Sequence, residues 1–310
     1  MKYSIGIDIG GTKTAYGLFD EDRNMVARHQ HPSDSTLGNE AFFTVIADNV
    51  RILCADNNIS LSDLKGVGVG MPSFIRFDEG RILKTVNLTN LKDFAARDFL
   101  QDLLGVPVVL DNDTHVAALA EYKLGAGRGL KHMMYTAVST GIASGIIING
   151  ELFRGSHGWA GESGHMIDTV DGGLLCGCGN SGCYMSHVSG RHMPKRLELR
   201  LQEHPESILR QEKELNGEAL LRAYEAGDAV ALAEVDYMAK HLAACVYNIY
   251  QLLNIDVFVF GGGLTHFGDA LFGRMRKYFD EYDHIKFPVE FRFAELKKDF
   301  GIIGSAELIR

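Results

Sequence analysis

The sequence predicts an α/β protein of two strand-rich lobes with a ligand cleft between them. Three observations carry that reading. Strand patterns at residues 3–9 and 133–138 each run through a short turn into a returning strand. Glycine turns stand at Gly10-Gly11, Gly141 and Gly261-Gly262-Gly263, each at the end of a strand pattern. Helical spacing fills long intervals after both hairpins, so each sheet has helices to pack against.

Residues 3–9 alternate into Gly10-Gly11-Thr12, and 14–19 return as the second strand of a hairpin. Phe42, Phe43, Ile46, Val50 and Leu53 give a helix over 39–56, followed by a strand at 66–70 and a hairpin turn at Asp78-Glu79-Gly80. A helix near 94–104, a strand at 107–110 and an Ala-rich helix from Asn112 to Leu124 come next. Strands at 133–138 and 143–148 flank Thr140-Gly141, and Asn149-Gly150 closes the second of them. The glycine-rich stretch 155–192 is too long for an unsupported loop unless something clips it. Helices at 216–226, 228–253 and 268–280, strands at 257–260 and 288–293, and a terminal helix at 301–309 complete the chain. The charge-rich stretch 195–214 reads as a solvated helix face, and Trp159 as a core residue.

A chain of 310 residues is long for one core and comfortable for two lobes. The expected division is a small lobe of 1–111 plus 298–310, and a large lobe of 112–297 that carries the loop 155–190. A hydrophobic fraction of 46% and a charged fraction of 23% are those of a soluble globular protein. Net charge −9 argues against a nucleic-acid partner. No run of eighteen apolar residues suits a membrane span, and the chain enters a strand at once, so the expected location is cytoplasmic.

Asp8-Ile9-Gly10-Gly11-Thr12-Lys13 is the first chemical motif. Its glycines let backbone N–H groups approach an anion, Thr12 adds a hydroxyl, and Asp8 is placed to hold Mg²⁺. A bare Gly-Gly-Thr reads equally well as an ordinary hairpin turn. With Ser139–Gly145 and Gly261–Gly263 it makes three glycine turns, an order foreign to the single-loop nucleotide signatures. It fits a nucleotide clamped between two lobes, as in the actin-like ATPase fold. Leu110-Asp111-Asn112-Asp113-Thr114 ends a strand and starts a helix. Asn112 or Asp113 can cap that helix, and a carboxylate there can also serve as the base of a phosphoryl transfer. Both readings stand.

His165 with Cys176, Cys178 and Cys183 supplies one imidazole and three thiolates, a closed tetrahedral set of the structural-zinc kind. Cys54 and Cys245 sit alone in apolar helical patterns and read as small buried hydrophobes. His29, His31, His204, His241, His266 and His284 have no partner at metal spacing and read as surface or capping residues. His157 and His187 flank the clipped loop, where lining a cleft and packing are both open.

In this order the motifs resemble the ROK family of bacterial sugar kinases, N-acetylmannosamine kinases and sugar-responsive repressors, over essentially the whole chain. The segment Arg154–Gly190, with Cys-x-Cys-Gly-x-x-Gly-Cys after Gly-Glu-x-Gly-His, carries the resemblance most specifically. It implies a two-lobed actin-like (ribonuclease H-like) fold and transfer of the γ-phosphate of ATP, with Mg²⁺, to a sugar hydroxyl, most often O6. It implies Asp113 as base, Asn112 and Glu162 on ring hydroxyls, and Ser73 and Asn87 beside the sugar. His165 would ligate a structural Zn²⁺ and face the sugar. Gly10, Gly11, Thr12, Lys13, Thr140 and Gly141 would lie at the phosphates, Gly261, Gly262 and Gly263 at the adenosine, and the chain would form a homodimer. Three positions depart from the family pattern. Pro72-Ser73 replaces Pro-Gly, Ala143-Ser144-Gly145 replaces a triple glycine, and Met185 stands where a Glu normally binds hydroxyls near the anomeric carbon. The regulators of the family carry an N-terminal winged helix, whereas this sequence opens on the phosphate strand; a sugar-binding relic is the remaining alternative.

Overall fold

The computed structural model describes residues 2–85, 87–286 and 288–310. Tyr3–Ile9 (β1) and Lys13–Phe19 (β2) form the expected hairpin, and Gly10 N–H donates to Lys13 O at 2.9 Å. Met25–Pro32 (β3) adds an antiparallel edge strand. It carries little strand signal in the sequence, because its more buried positions are Met25, Ala27, His29 and His31. Asn39–Asp56 (α1) buries Phe42, Phe43, Ile46, Val50 and Leu53, the residues whose spacing predicts it. Leu64–Met71 (β4) runs parallel to β1. Ser73–Arg76 (β5), Arg81–Thr85 (β6) and Lys92–Phe94 (β7) form a small antiparallel sheet, with Gly80 at φ +58° in the turn. Ala96–Leu104 (α2) ends on a left-handed Gly105. Val108–Asn112 (β8) then pairs parallel to β4 and leads directly into Asp113–Leu124 (α3).

The second half repeats this plan. Met133–Val138 (β9), Ile142–Ile148 (β10) and Glu151–Phe153 (β11) are followed by the short helix Tyr184–Val188 (α4), then Met193–Leu201 (α5), Gly217–Glu225 (α6) and Ala229–Leu253 (α7). Val257–Gly261 (β12), Phe272–Tyr282 (α8), Glu290–Phe293 (β13) and Phe300–Glu307 (α9) complete it. The two five-stranded sheets run β3-β2-β1-β4-β8 and β11-β10-β9-β12-β13. Each is thus an antiparallel meander whose first strand continues into parallel strands, one topology used twice.

By its contacts the chain divides into two compact units, Met1–His132 with Gly145–Gly161 and Ala294–Arg310, and Met133–Ser144 with Glu162–Phe293. The sequence reading puts the lobe boundary at residue 112, whereas this division keeps α3 with the first unit, since α3 packs on α9. In the first unit Ile5, Ile7, Ile9, Val67, Val69 and Leu110 meet α1 in one core. On the other side α9 presses its backbone on β1 and β4: a Cβ on Gly6 would lie 1.9 Å from Ile302 O, and one on Gly68 1.7 Å from Ser305 O. Only glycine permits that approach.

Two expectations are corrected. Arg196 and Glu234, in the stretch read as solvated and on α7, form a buried ion pair at 2.7 Å, with side-chain exposures of 4% and 0%. Trp159 is 41% exposed, edge-on to Phe74 with ring centroids 5.8 Å apart, because the glycines around it hold a surface loop and bury nothing over its ring. Among the described residues no helix is long and apolar enough to cross a membrane.

Candidate functional site

The predicted site residues fall into two groups, one in each unit. In the first, Asp8 ends β1 and faces the start of α9, where a Cβ on Gly301 would come within 2.5 Å of the Asp8 carboxyl carbon. Burial first, then the Asp113 carboxylate, pushes the Asp8 carboxyl up to about 6, and Lys13 opposes the shift. A pocket of about 430 Å³ opens here, lined by Asp8, Lys13, Arg28, Lys297 and Lys298, the last three unmarked by any sequence motif. Gly11 packs on Asn87, whose Cβ would be 2.8 Å from a side chain on the glycine. Asn87 is exposed, and Val86 beside it lies outside the described residues.

Asn112 caps α3: its Oδ1 accepts the Thr114 N–H at 2.8 Å, while its Nδ2 donates to Ser73 O at 3.2 Å. Capping is therefore Asn112's task. Asp113 is the first helical residue; its Oδ1 also accepts from Thr114 N–H, at 2.9 Å. Burial raises the Asp113 pKa, and the bonds from Thr114 and the charge of His115 oppose that rise.

Beneath this pair lies an ionic cluster that the sequence reading does not single out. His115 Nδ1 is 2.9 Å from Asp111 Oδ1, and its Nε2 is 2.8 Å from the Ala160 carbonyl. A carbonyl only accepts, so Nε2 carries a proton, and Nδ1 carries one toward the carboxylate. The ring is thus an imidazolium. Burial, the largest single influence, lowers its pKa, and the Asp111 carboxylate together with the Ala160 carbonyl outweighs it, so the pKa is raised. Arg154 Nε reaches the other Asp111 oxygen at 2.7 Å while its guanidinium lies 3.7 Å over the Phe77 ring. Burial pushes the Asp111 pKa up, but His115 and then Arg154 outweigh it and hold the carboxylate ionised. The signal available was Asp111-x-x-x-His115 across a strand end and a first helical turn, where the two side chains share a face.

In the second unit the other two glycine turns meet. Gly262, at φ +91°, leaves no room for a side chain: a Cβ would lie 2.6 Å from Val138 O and 3.0 Å from Ser139 Cβ. Thr140 and Gly141 follow in the β9–β10 turn, closed by Ser139 N–H to Gly141 O at 2.9 Å. Gly190 and Arg191 donate to Ser139 O and Thr140 O, so the glycine-rich loop is tied to this turn. Met185, at the start of α4, fills the space between the turn and Gly164; its Sδ accepts the Ile142 N–H at 3.3 Å. Ser144 and Ser163 hydroxyls pair at 2.7 Å and fix the segment that carries Glu162 and His165, with His165 Nε2 4.0 Å from Glu162 Oε2.

His165, Cys176, Cys178 and Cys183 converge, their ligand atoms all within 4.8 Å of one another. Cys178 Sγ and Cys183 Sγ are 3.7 Å apart, and Cys176 Sγ is 3.6 Å from His165 Nδ1. A tetrahedron built on ordinary zinc–sulfur and zinc–nitrogen bonds has edges of about 3.8 and 3.6 Å. The set fits that ion. Gly179 and Gly182, at φ +97° and +73°, make the turns that bring the cysteines round.

The ROK family model matches residues 4–310. The chain belongs to the ROK family. It is 33% identical to the glucokinase of Halalkalibacterium halodurans over 100% of this chain and 95% of that one. The ROK hexokinase of Thermus thermophilus superposes with a TM-score of 0.83 at 29% identity, covering 98% of this chain and 96% of that chain. A ROK glucokinase of Streptomyces griseus, solved with glucose and AMPPNP, gives 0.78 at 28% identity, covering 99% and 98%. This ROK chain has the actin-like ATPase fold and is an ATP-dependent sugar kinase.

Proposed function

We propose that Asp113 is the base that takes a proton from a sugar hydroxyl, O6 of a hexose or hexose derivative, as that oxygen bonds to the γ-phosphorus of ATP and the bond from phosphorus to the ADP oxygen breaks. The observation that carries this is the division of labour at the head of α3. Asn112 performs the capping, and Asp113 spends only one carboxylate oxygen on the Thr114 bonds, so the other is available to accept a proton. The imidazolium of His115 lies close enough to favour the ionised Asp113 that must accept the proton.

By the family resemblance Ser73, Asn87, Asn112, Glu162 and His165 would contact the sugar hydroxyls. Gly10, Gly11, Thr12 and Lys13 would meet the phosphates, helped by Arg28, Lys297 and Lys298 around the same pocket. Thr140 and Gly141 would also meet the phosphates, and Gly261, Gly262 and Gly263 the adenosine. Asp8 fits Mg²⁺: its carboxyl is held up at about 6 by burial and a neighbouring carboxylate, a strain that a divalent cation relieves. Bound with ATP, that ion would neutralise charge developing on the phosphates. The thiolate set would hold a structural Zn²⁺ that fixes the loop bearing Glu162 and His165.

Met185 offers an apolar, adaptable wall where a carboxylate would read free hydroxyls. The substrate that suits it is a sugar with an altered or substituted C1–C2 edge, a glycoside or an epimer, phosphorylated on a distal hydroxyl. The same reading makes the protein a cytoplasmic homodimer, which light scattering tests; a monomer mass excludes the dimer. An ADP-release screen over hexoses, N-acetylhexosamines, ketoses, pentoses and β-glucosides tests the whole. Turnover of none of them would leave a sugar-binding relic.

A further inference from the structure

Glu121 stands in the last turn of α3, the helix that Asp113 opens, and has no part in the chemistry proposed above. The residue is 1% exposed, yet both carboxylate oxygens are bonded. Oε1 accepts the Leu296 N–H at 2.8 Å, and Oε2 accepts those of Ala126 and Glu295 at 2.8 and 3.1 Å. A Cβ on Gly125 would lie 2.1 Å from Oε2, so only glycine lets the chain turn past the carboxylate. The backbone carbonyl of Glu121 accepts from Gly125 and Gly127, at 3.0 and 2.9 Å, so the helix end is closed largely by its own backbone. Two of the three side-chain bonds go elsewhere, 174 and 175 positions along the chain, to the segment between β13 and α9. Residues 294–299 of that segment lie outside helix and strand. Among the described residues no backbone-to-backbone hydrogen bond involves 295–298. The exposed Arg128–Glu295 pair, at 3.2 Å, adds little. The segment nevertheless carries Lys297 and Lys298 into the pocket that Asp8 and Lys13 line.

We infer that Glu121 is a positioning residue for the nucleotide, its carboxylate fixing the segment whose two lysines meet the phosphates, on the reading of that pocket as the phosphate site. Lysine is a compact charge on a flexible four-carbon stem, so its aim depends on where its backbone is held. Here the bonded N–H groups belong to the two residues immediately before Lys297. On the other side α9 begins at Phe300, so the lysines hang between the carboxylate and a helix end. Bonds from peptide N–H groups to a carboxylate are charge-assisted and stronger than neutral ones. A segment held in this way is ordered before ATP arrives, and the cost of ordering it does not fall on binding. Without the carboxylate two amides would turn to water, and the ligand itself would have to order the lysines. The ligand concerned is the polyanionic chain of a nucleoside triphosphate, and the sugar is untouched. Helix α3 then has a task at each end: Asp113 for the hydroxyl proton, Glu121 for the lysines at the phosphates.

The competing role is purely structural, a tie between the end of α3 and the chain entering α9. Calorimetric binding of AMPPNP with Mg²⁺ to the full chain separates the two. Glu121→Gln keeps the side chain's shape but turns an amide NH₂ toward a backbone donor. It should raise the Kd for AMPPNP by about tenfold, the loss of one charge-assisted bond, and change the Kd for sugar by less than about twofold. Lys297→Ala combined with Lys298→Ala should weaken AMPPNP at least as much. In that lysine-free background Glu121→Gln should have no further effect, because the carboxylate acts through the lysines. A second loss of the same size there overturns the inference, and so does parental AMPPNP affinity in Glu121→Gln alone. Parental affinity in the lysine variant overturns the phosphate reading of the pocket and the inference with it. Should Glu121→Gln fail to fold, amide exchange on the unmodified chain decides. The Glu295 and Leu296 amides should be protected before any nucleotide is added, and fast exchange there overturns the inference.

Discussion

Asp113 and Asn112 are adjacent, chemically similar and differently employed. Asn112 satisfies the helix end, so replacing Asp113 by Asn leaves the cap, the helix and the Ser73 contact in place. Asp113→Asn is therefore expected to fold normally and bind sugar with little change, yet lose at least about a hundredfold in kcat, the usual floor for removing a general base. Near-normal turnover would mean that another group takes the proton. Met185 tests specificity at the same scale. Its thioether occupies the Ile142 N–H and shields Gly141 and Gly164, so a Glu there would bring two acceptor oxygens into an apolar gap. Such a charge is tolerated only if a substrate hydroxyl or a backbone donor meets it. Met185→Glu should raise kcat/KM for glucose relative to methyl glycosides and epimers, by about tenfold if one charge-assisted bond of 1.5–3 kcal/mol is partly recovered. Glucose already being the best substrate of the unmodified chain, with an unchanged ranking in the variant, would rule the idea out.

At the scale of elements, the glycine-rich segment has little regular structure, so its cysteines are a principal tie between its turns. Two isolated bridges, Ile167 with Cys183 and Leu175 with Ser181, and a few backbone bonds are the regular structure of 166–183. Cys176→Ser should therefore lower zinc content measured by elemental analysis and loosen this segment to proteolysis. Sugar affinity should fall by more than nucleotide affinity, because the segment begins with Glu162 and His165. Equal loss of both affinities would point to general unfolding. What the sequence made legible follows the same physics. Helix α1 is readable to its ends because five apolar residues repeat at helical spacing, and the thiolate set because its members lie within nineteen positions. The edge strand β3, the Arg196–Glu234 pair and the Asp168–His241 hydrogen bond were not, since each depends on partners that only tertiary folding supplies.

For the whole molecule, the Asp111–His115–Arg154 cluster ties β8, α3 and the Arg154–Ala160 loop together, so its protonation bears on global stability. Asp111 has its pKa lowered from 3.8 in the folded chain, so its contribution is present above that value and is lost as pH falls through the folded pKa. His115 has its pKa raised from 6.5, so its contribution is complete below 6.5 and is lost as pH rises through the folded pKa. The two together predict a stability plateau between roughly pH 4 and 6.5, with a decline on each side. Asp111→Asn removes the acid-side titration outright. It also takes from His115 the partner that raises its pKa, so the alkaline decline should flatten or reverse. The variant should be less stable throughout by about 3–5 kcal/mol, since it leaves buried cations without their counter-charge. Urea midpoints measured from about pH 2 to 9 check both features. A variant that keeps the parent's pH profile, merely displaced downward, would show that other groups set the pH dependence and that the cluster acts only through packing.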